Sequence, residues 1–286
     1  MTDPAEQTAD IAPAHPSTGP RPRVWTRYVA IGDSFTEGLV DPDPEPPEGY
    51  TGWADLLAVH LDRVAERAGQ RLAYANLAIR GRKVEDIVGR QLEAALAMEP
   101  DLVSIIAGGN DMMRPSVDLT ELADQLETAV VRVRATGADV LLATPTDPRD
   151  AGLFRGLRPR HSVHAANIFT IAQRHGAHVL NIWGSEWLRD WRMWGPDRIH
   201  PTSEAHRRLA LAALLALGHE LPDADAEGWD TPLPPAPGTT RREELREHAE
   251  WVRVHAGPWV QRRLTGASSG DDLTAKRPEL TPLRPS

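Results

Sequence analysis

The sequence predicts an α/β fold in which a parallel sheet of five strands is covered by helices on both faces. Short apolar runs rich in β-branched residues alternate with longer amphipathic stretches from about residue 24 to about residue 217. Strands that alternate with helices in this way are usually joined by crossover connections. Neighbouring strands are then parallel, and both faces of the sheet are buried.

Each element has its own signal in the sequence. The predicted strands are the apolar runs at 24–31, 72–77, 101–107, 138–144 and 177–182. The predicted helices are the amphipathic stretches near 52–68, 84–98, 119–136, 160–175 and 203–217. Asp118 is placed to cap the third helix and Gly137 follows its end, while Gly176 ends the fourth.

The sequence divides into one α/β domain and three flanking segments. Residues 1–22, rich in Pro, Ala, Thr and Asp, are predicted to be a disordered N-terminal tail, and 23–220 form the domain. A Pro-rich linker is predicted over 221–240, and a C-terminal helical extension with a flexible tail over 241–286. A lone helix is marginal in water, so this extension should pack on the parent domain or on a second subunit of a homo-oligomer. We favour a structural brace, with an active-site lid as the alternative.

Composition excludes several functional classes. The chain has 286 residues and a net charge of −9, which disfavours binding to nucleic acid or to anionic lipid. It has no cysteine, so disulfides, a thiolate nucleophile and thiolate-bound metals are excluded. We find neither a signal-peptide pattern nor an apolar run long enough for stable membrane insertion, and we therefore expect a cytoplasmic protein.

Polar residues and glycines follow the predicted strands at the point where each strand ends. The first strand runs into GDSFTEG (32–38) and the third into GGND (108–111), while Gly81 closely follows the second. Ligands of open parallel sheets bind outside the carboxyl ends of the strands. We therefore expect these three segments to contribute to one site.

These are the residue types that acyl transfer to a serine requires. Ser34 would be the nucleophile, and a neighbouring base must take its proton. Three groups can donate to the oxyanion: the backbone N–H groups of Ser34 and Gly81, and the side-chain amide of Asn110. Gly81 has no side chain, so substrate can approach its backbone closely.

The base is expected from DRIH (197–200), just before the last helix of the domain. Asp197 lies three residues before His200, and it can bond the far ring nitrogen if this segment makes one helical turn. The carboxylate would fix the histidine tautomer and stabilise the imidazolium. Since Pro201 disfavours helical geometry at His200, we expect the turn to end there, with a new helix capped by Thr202.

Together, GDSFTEG, the glycine after the second strand, GGND and DRIH resemble the four blocks that give the SGNH (GDSL-type) hydrolases their name. The resemblance covers about residues 26–217, with Phe35 where the name GDSL has leucine. The stretch 181–206 is also similar to actinobacterial members of the family.

This resemblance implies a flavodoxin-like three-layer α/β/α sandwich and a serine ester hydrolase that needs no cofactor and no metal. It gives the roles described above to Ser34, Gly81, Asn110, Asp197 and His200. We expect a small-molecule ester with a short, acetyl-like acyl group to be the substrate. The alternatives are a carbohydrate or metabolite deacetylase, an acyltransferase, a thioesterase or lysophospholipase, and, in another class, a binding protein without turnover.

Two sets of side chains have both a structural and a functional interpretation. The tryptophans at helical spacing before DRIH favour core packing, with a wall of the acyl pocket as the alternative; they are Trp183, Trp187, Trp191 and Trp194. Two histidine pairs, 161/164 and 175/178, have a spacing that could hold a metal, but neither stands beside a glutamate in a zinc-protease pattern. We therefore predict no metal site.

Overall fold

The fold is built on one twisted sheet, seen in a computed structural model that describes residues 23–39, 51–234, 238, 270 and 273–283. Five strands are parallel: β1 (Arg27–Ile31), β2 (Ala73–Asn76), β3 (Leu102–Ile105), β4 (Asp139–Ala143) and β5 (His178–Leu180). In the sheet they follow the order β5-β4-β3-β1-β2, which is the flavodoxin-like order.

The helices connect these strands. They are α1 (Ser34–Glu37), α2 (Trp53–Arg67), α3 (Val84–Asp86), α4 (Leu92–Ala97), α5 (Gly109–Met112), α6 (Leu119–Ala135), α7 (Arg158–His175), α8 (Ser203–Ala216) and α9 (Asp223–Ala226). A π-helical segment, Ile87–Gln91, joins α3 to α4. Short 3₁₀ helices occupy Pro148–Asp150, Gly152–Leu157, Glu186–Arg189 and Trp191–Met193. No helix in the described ranges is both long and apolar enough to cross a membrane.

Two apolar cores lie on opposite faces of the sheet. Trp53, Leu57 and Leu61 of α2 pack with Leu209 of α8 on one face. The helices α4, α6 and α7 cover the other face. This arrangement confirms the predicted α/β fold with helices on both faces.

The sheet has a sixth strand that we did not predict. β6 (Arg277–Pro282) lies in the region predicted to be a flexible tail, and it pairs antiparallel with β2 at the sheet edge. The five predicted parallel strands are all present, and β6 extends the sheet to six. Proline is tolerated here because an edge strand has one side without ladder partners.

The other predicted appendages are described only in part. Within the predicted linker, Thr231 O accepts a hydrogen bond of 2.7 Å from Arg208 Nη1 of α8, and Asp225 pairs with Arg207 at 3.1 Å. Residues 221–234 therefore lie against the domain. The N-terminal tail and the predicted helix of the C-terminal extension lie outside the described residues.

Candidate active site

Ser34 lies at the carboxyl end of β1, in a tight turn that its neighbours define. Asp33 caps α1 by accepting a hydrogen bond of 3.1 Å from the Phe35 N–H, and Gly38 ends the helix with a φ of 88°. A Cβ at Gly32 would lie 2.6 Å from Thr36 Oγ1, so only glycine fits between the strand and the helix. This geometry places Ser34 as the first residue of α1, at the sheet edge.

The side chain of Gln91, a residue that we did not single out in the sequence, binds the backbone of the same turn. Gln91 Oε1 accepts from the Gly32 N–H at 2.8 Å, and Gln91 Nε2 donates to Gly32 O at 3.0 Å. The side chain is buried and lies in the π-helical segment, a feature often found near functional sites. In the sequence, the only signal for this role of Gln91 was a polar residue on the apolar face of a predicted helix.

His200 comes from a closed loop instead of the helical turn that we predicted. Arg198 has a φ of 57°, which breaks helical geometry between Asp197 and His200. The loop is closed by Gly195 N–H, which donates to His200 O at 2.8 Å. Asp197 Oδ1 accepts from the N–H groups of Ile199 and His200 at 3.0 and 3.1 Å, so this carboxylate shapes the loop as well as contacting the ring.

The helix after this loop is α8, which begins at Ser203 with Thr202 as its N-cap residue, as predicted. The Thr202 hydroxyl does not cap the helix, however. It donates to Met193 O at 3.2 Å, and so ties the histidine loop to the preceding 3₁₀ turn.

Ser34, His200 and Asp197 form one hydrogen-bonded chain. His200 Nδ1 lies 2.6 Å from Asp197 Oδ2, and His200 Nε2 lies 2.9 Å from Ser34 Oγ. Because a carboxylate can only accept, Nδ1 carries the hydrogen and Nε2 is free to accept the serine proton. Burial acts to raise the pKa of Asp197, but the hydrogen bond and charge of His200 and the two backbone N–H groups outweigh it and lower that pKa. The carboxylate is therefore ionised at neutral pH.

Asn110, in the short helix α5, contacts Asp33, which precedes Ser34, and Arg82, which follows Gly81. Asn110 Nδ2 donates to Arg82 O at 3.0 Å, so the turn that contains Gly81 lies against this amide. Gly81 has a φ of 76°, a conformation that favours glycine. Asn110 Nδ2 also lies 3.2 Å from Asp33 Oδ2, so an incoming oxyanion has to share one amide hydrogen with Asp33 or Arg82.

Asp33, next to the predicted nucleophile, is itself a buried acid. Burial raises its pKa to about 6, although the Phe35 N–H and the charge of His200 act in the opposite direction. Its side chain connects the cap of α1 with the amide of Asn110. From the sequence we predicted no role for this side chain.

A partly buried ion pair joins the nucleophile turn to the turn of Gly81. Glu37 Oε2 accepts from the Arg80 backbone N–H at 2.7 Å and from Arg80 Nε at 3.1 Å, and Arg80 Nη2 bonds the other carboxylate oxygen. Glu37 is the last residue of α1, and Arg80 immediately precedes Gly81. The two turns are thus fixed to each other.

A cleft of about 190 Å³ opens beside Ser34. Among the described residues, Ser34, Asn110 and His200 line it, whereas Gly81 and Asp197 do not. Most of the remaining wall is apolar. Its side chains include Ile106, Met113, Phe154, Leu157, Ile182, Trp191 and Trp194.

The two interpretations of the tryptophans apply to different members of the set. Trp187 is buried in the core, while Trp191 and Trp194 form part of the cleft wall. Arg158 Cζ lies over the ring of Trp183, 5.6 Å from the ring centroid. The four residues do not share one helical face because Trp187 and Trp191 lie in two different 3₁₀ helices and the other two lie outside them.

The chain is similar to known esterases and to an α/β hydrolase. The chain is 28% identical over 215 residues to an acetylxylan esterase of Geobacillus stearothermophilus, covering 68% of this chain and 94% of the relative. Among solved structures, an α/β hydrolase from the metagenome of Lake Arreo in Spain is 26% identical with a TM-score of 0.58, covering 68% of this chain and 95% of the other. A variant of the Geobacillus stearothermophilus acetyl xylan esterase is 26% identical with a TM-score of 0.57, covering 68% and 96%.

The model of the GDSL-like lipase/acylhydrolase family matches residues 30–208, which contain the nucleophile turn, the turn of Gly81, the Asn110 turn and the histidine loop. The matched range is more than half of the chain, and the fold and order of the four blocks agree with it. This chain therefore belongs to the GDSL-like lipase/acylhydrolase family, the SGNH class that its sequence resembles, and is a carboxylic ester hydrolase.

Proposed function

We propose that this protein hydrolyses esters of short, acetyl-like acyl groups through a covalent acyl-serine intermediate on Ser34. The observation that carries the proposal is the hydrogen-bonded chain from Ser34 Oγ through His200 to Asp197, at 2.9 and 2.6 Å. Distances of this size are those at which a base can take a serine proton.

In the first half of the reaction, Ser34 Oγ attacks the ester carbonyl carbon while its proton moves to His200 Nε2. The negative charge on the carbonyl oxygen is stabilised by the N–H groups of Ser34 and Gly81 and by the amide of Asn110. Collapse of this intermediate breaks the bond to the leaving alkoxide, which takes the proton from His200. The acyl group is then bound to Ser34.

In the second half, water attacks the acyl-serine and gives one proton to His200. The same three donors stabilise the second oxyanion, and its collapse releases the acid while Ser34 Oγ takes its proton back. Asp197 stays ionised throughout and opposes the positive charge that His200 carries in each step. No cofactor or metal enters this sequence.

The cleft beside Ser34 supports a small-molecule ester as the substrate. Its largely apolar wall, which includes Trp191 and Trp194, offers contact area for an apolar or cyclic group beside Ser34. Similarity to an acetylxylan esterase favours an acetylated carbohydrate as the second candidate substrate. Acyl transfer to another alcohol and hydrolysis of thioesters or lysophospholipids use the same groups. A cytoplasmic location, the absence of a nucleic-acid partner and a homo-oligomer stay predictions from the sequence.

The test is hydrolysis of p-nitrophenyl acetate, p-nitrophenyl butyrate and acetylated xylo-oligosaccharides by the wild type, Ser34→Ala and Ser162→Ala. Ser162 is the matched control, since within the described part of the chain its exposed hydroxyl bonds only the backbone of its own helix, at Pro159 O. We expect the control to keep wild-type rates and Ser34→Ala to lose activity on every ester. Equal activity of Ser34→Ala and wild type would refute the mechanism, and faster turnover of long acyl chains would refute the short-chain preference.

A further inference from the structure

The C-terminal strand does more than cover the sheet edge, because the residues that lead into it contact both turns of the proposed oxyanion site. We call Gly270 together with residues 273–283 the returning segment. Its strand β6 pairs with β2, whose carboxyl end leads to the turn of Gly81. Lys276 lies immediately before that strand.

Lys276 reaches the helix that carries the nucleophile. Its Nζ donates to Glu37 O at 2.6 Å and to Asp55 Oδ2 at 2.5 Å, and only 18% of its side chain is exposed. The last carbonyls of a helix have no partner within the helix, so Glu37 O needs one from elsewhere in the fold. Lys276 therefore fixes the end of α1 from a position 239 residues along the chain.

Gly270 lies against the turn of Gly81. Its carbonyl accepts a hydrogen bond of 3.0 Å from Arg82 Nη2. A Cβ on Gly270 would lie 2.2 Å from Arg80 O, so its backbone touches the turn directly. Because Glu37 also holds Arg80, the two contacts of the returning segment act on one connected unit.

We infer that the start of the returning segment, through Lys276 and Gly270, is a positioning element of the active site. It holds Ser34 and the turn of Gly81 in register so that their N–H groups point at the same oxyanion. This inference rests on the proposed function, since it assigns those N–H groups to the oxyanion. Oxyanion donors act at about 2.7–3.1 Å, and a displacement of about 1 Å can cost roughly 10²-fold in rate.

The experiment compares Lys276→Met with Lys276→Arg and Leu280→Ala in the full chain. Leu280 is the matched control: it belongs to the same strand and packs on an apolar core, and loss of its packing weakens the strand without removing a contact to either turn. Each variant is first checked for folding by circular dichroism and melting temperature. Then kcat and KM for p-nitrophenyl acetate are measured, with the rate at which diethyl p-nitrophenyl phosphate modifies Ser34.

In the modification reaction, Ser34 Oγ bonds to phosphorus, p-nitrophenolate leaves and the serine proton passes to His200. It therefore reports on the nucleophile and the oxyanion site without depending on which ester is the natural substrate. We expect Lys276→Met to lower both kcat and the modification rate by roughly 10- to 100-fold, with KM within about threefold of wild type. Lys276→Arg should recover most of the loss, and Leu280→Ala should stay within about threefold of wild type although it melts earlier.

The outcomes separate this inference from the proposed function. If wild-type Ser34 reacts and Ser34→Ala does not, but Lys276→Met behaves like Leu280→Ala, the returning segment only covers the sheet edge and the inference is wrong. A wild type that neither hydrolyses esters nor reacts with the phosphate would overturn the proposed function, and this inference with it. If Lys276→Met does not fold, Gly270→Ala, which pushes on Arg80 O and keeps Lys276, must give the same loss of kcat.

Discussion

The burial of Asp33 predicts how the free energy of unfolding changes with pH, in both sign and size. The side chain is almost fully buried, and burial raises its pKa from 3.8 to about 6. Above pH 6 the folded protein therefore holds a buried carboxylate that the unfolded chain would expose to water. At about 1.4 kcal/mol per pH unit, the shift corresponds to about 3 kcal/mol of lost stability.

The sign follows from the raised pKa. Below pH 3.8 the carboxyl is protonated in both states and there is no penalty. As the pH rises through 6, the folded state loses this proton last, so Asp33 lowers the free energy of unfolding over this range. In Asp33→Asn the side chain is neutral at every pH, and its amide oxygen can still cap α1. The free energy of unfolding of the variant, relative to wild type, should rise by about 3 kcal/mol between pH 4 and pH 8.

Urea unfolding followed by circular dichroism at intervals from pH 4 to pH 8 measures this difference. Changes in hydrogen bonding shift the difference by a constant and leave its slope unaffected. Asp118→Asn is the control: Asp118 also caps a helix, but the hydrogen bonds from Thr120 and Glu121 lower its pKa. Because its pKa is below 3.8 in the folded protein, its difference curve should stay nearly flat from pH 4 to pH 8. A curve for Asp33→Asn that is flat, or that falls with pH, would refute the reasoning.

Three further substitutions test the site and its support. Asn110→Ala should lower kcat for p-nitrophenyl acetate by roughly 10²–10³-fold, the usual loss for one oxyanion donor, and a change in KM alone would assign Asn110 to substrate binding instead. Asp197→Asn should lower kcat by roughly 10³–10⁴-fold, because the ring of His200 loses the acceptor that fixes its tautomer; wild-type kcat in this variant would exclude that role. Gln91→Met should lower the free energy of unfolding in urea by about 2–4 kcal/mol, since the buried N–H and C=O of Gly32 lose their partner, whereas a loss below about 0.5 kcal/mol would mean that water replaces the amide.

The five parallel strands could be predicted because their signal is local. Each is a short apolar run that both faces of the sheet bury, and each lies within a few residues of its predicted bounds; β4, for example, was predicted at 138–144 and spans Asp139–Ala143. The strand β6 has no such signal. It is polar and contains Pro278 and Pro282, and it forms a strand only because the edge of β2 offers backbone partners.

In the candidate site, too, features with a local sequence signal could be predicted and features that depend on distant residues could not. Ser34, Asn110 and His200 could be predicted because the ends of parallel strands meet, and because few residue types carry this chemistry. The histidine loop could not be predicted, because a positive φ at Arg198 is uncommon for a residue with a side chain. The roles of Gln91 and Glu37 were missed because no local pattern reveals a distant partner. Gln91 binds the backbone of Gly32, 59 positions away, and Glu37 binds Arg80, 43 positions away.

The antiparallel strand also affects the order in which the chain can fold. Arg277 Nε bonds Tyr74 O across 203 positions, so this pairing closes one of the longest loops in the molecule. During synthesis, β1 to β5 emerge and can pair while β2 still exposes an unpaired edge, of the kind through which sheets associate with one another. A chain stalled or cleaved before Lys276 would keep that edge open. Aggregation of such fragments, and not merely their reduced stability, is the expected consequence of losing the last strand.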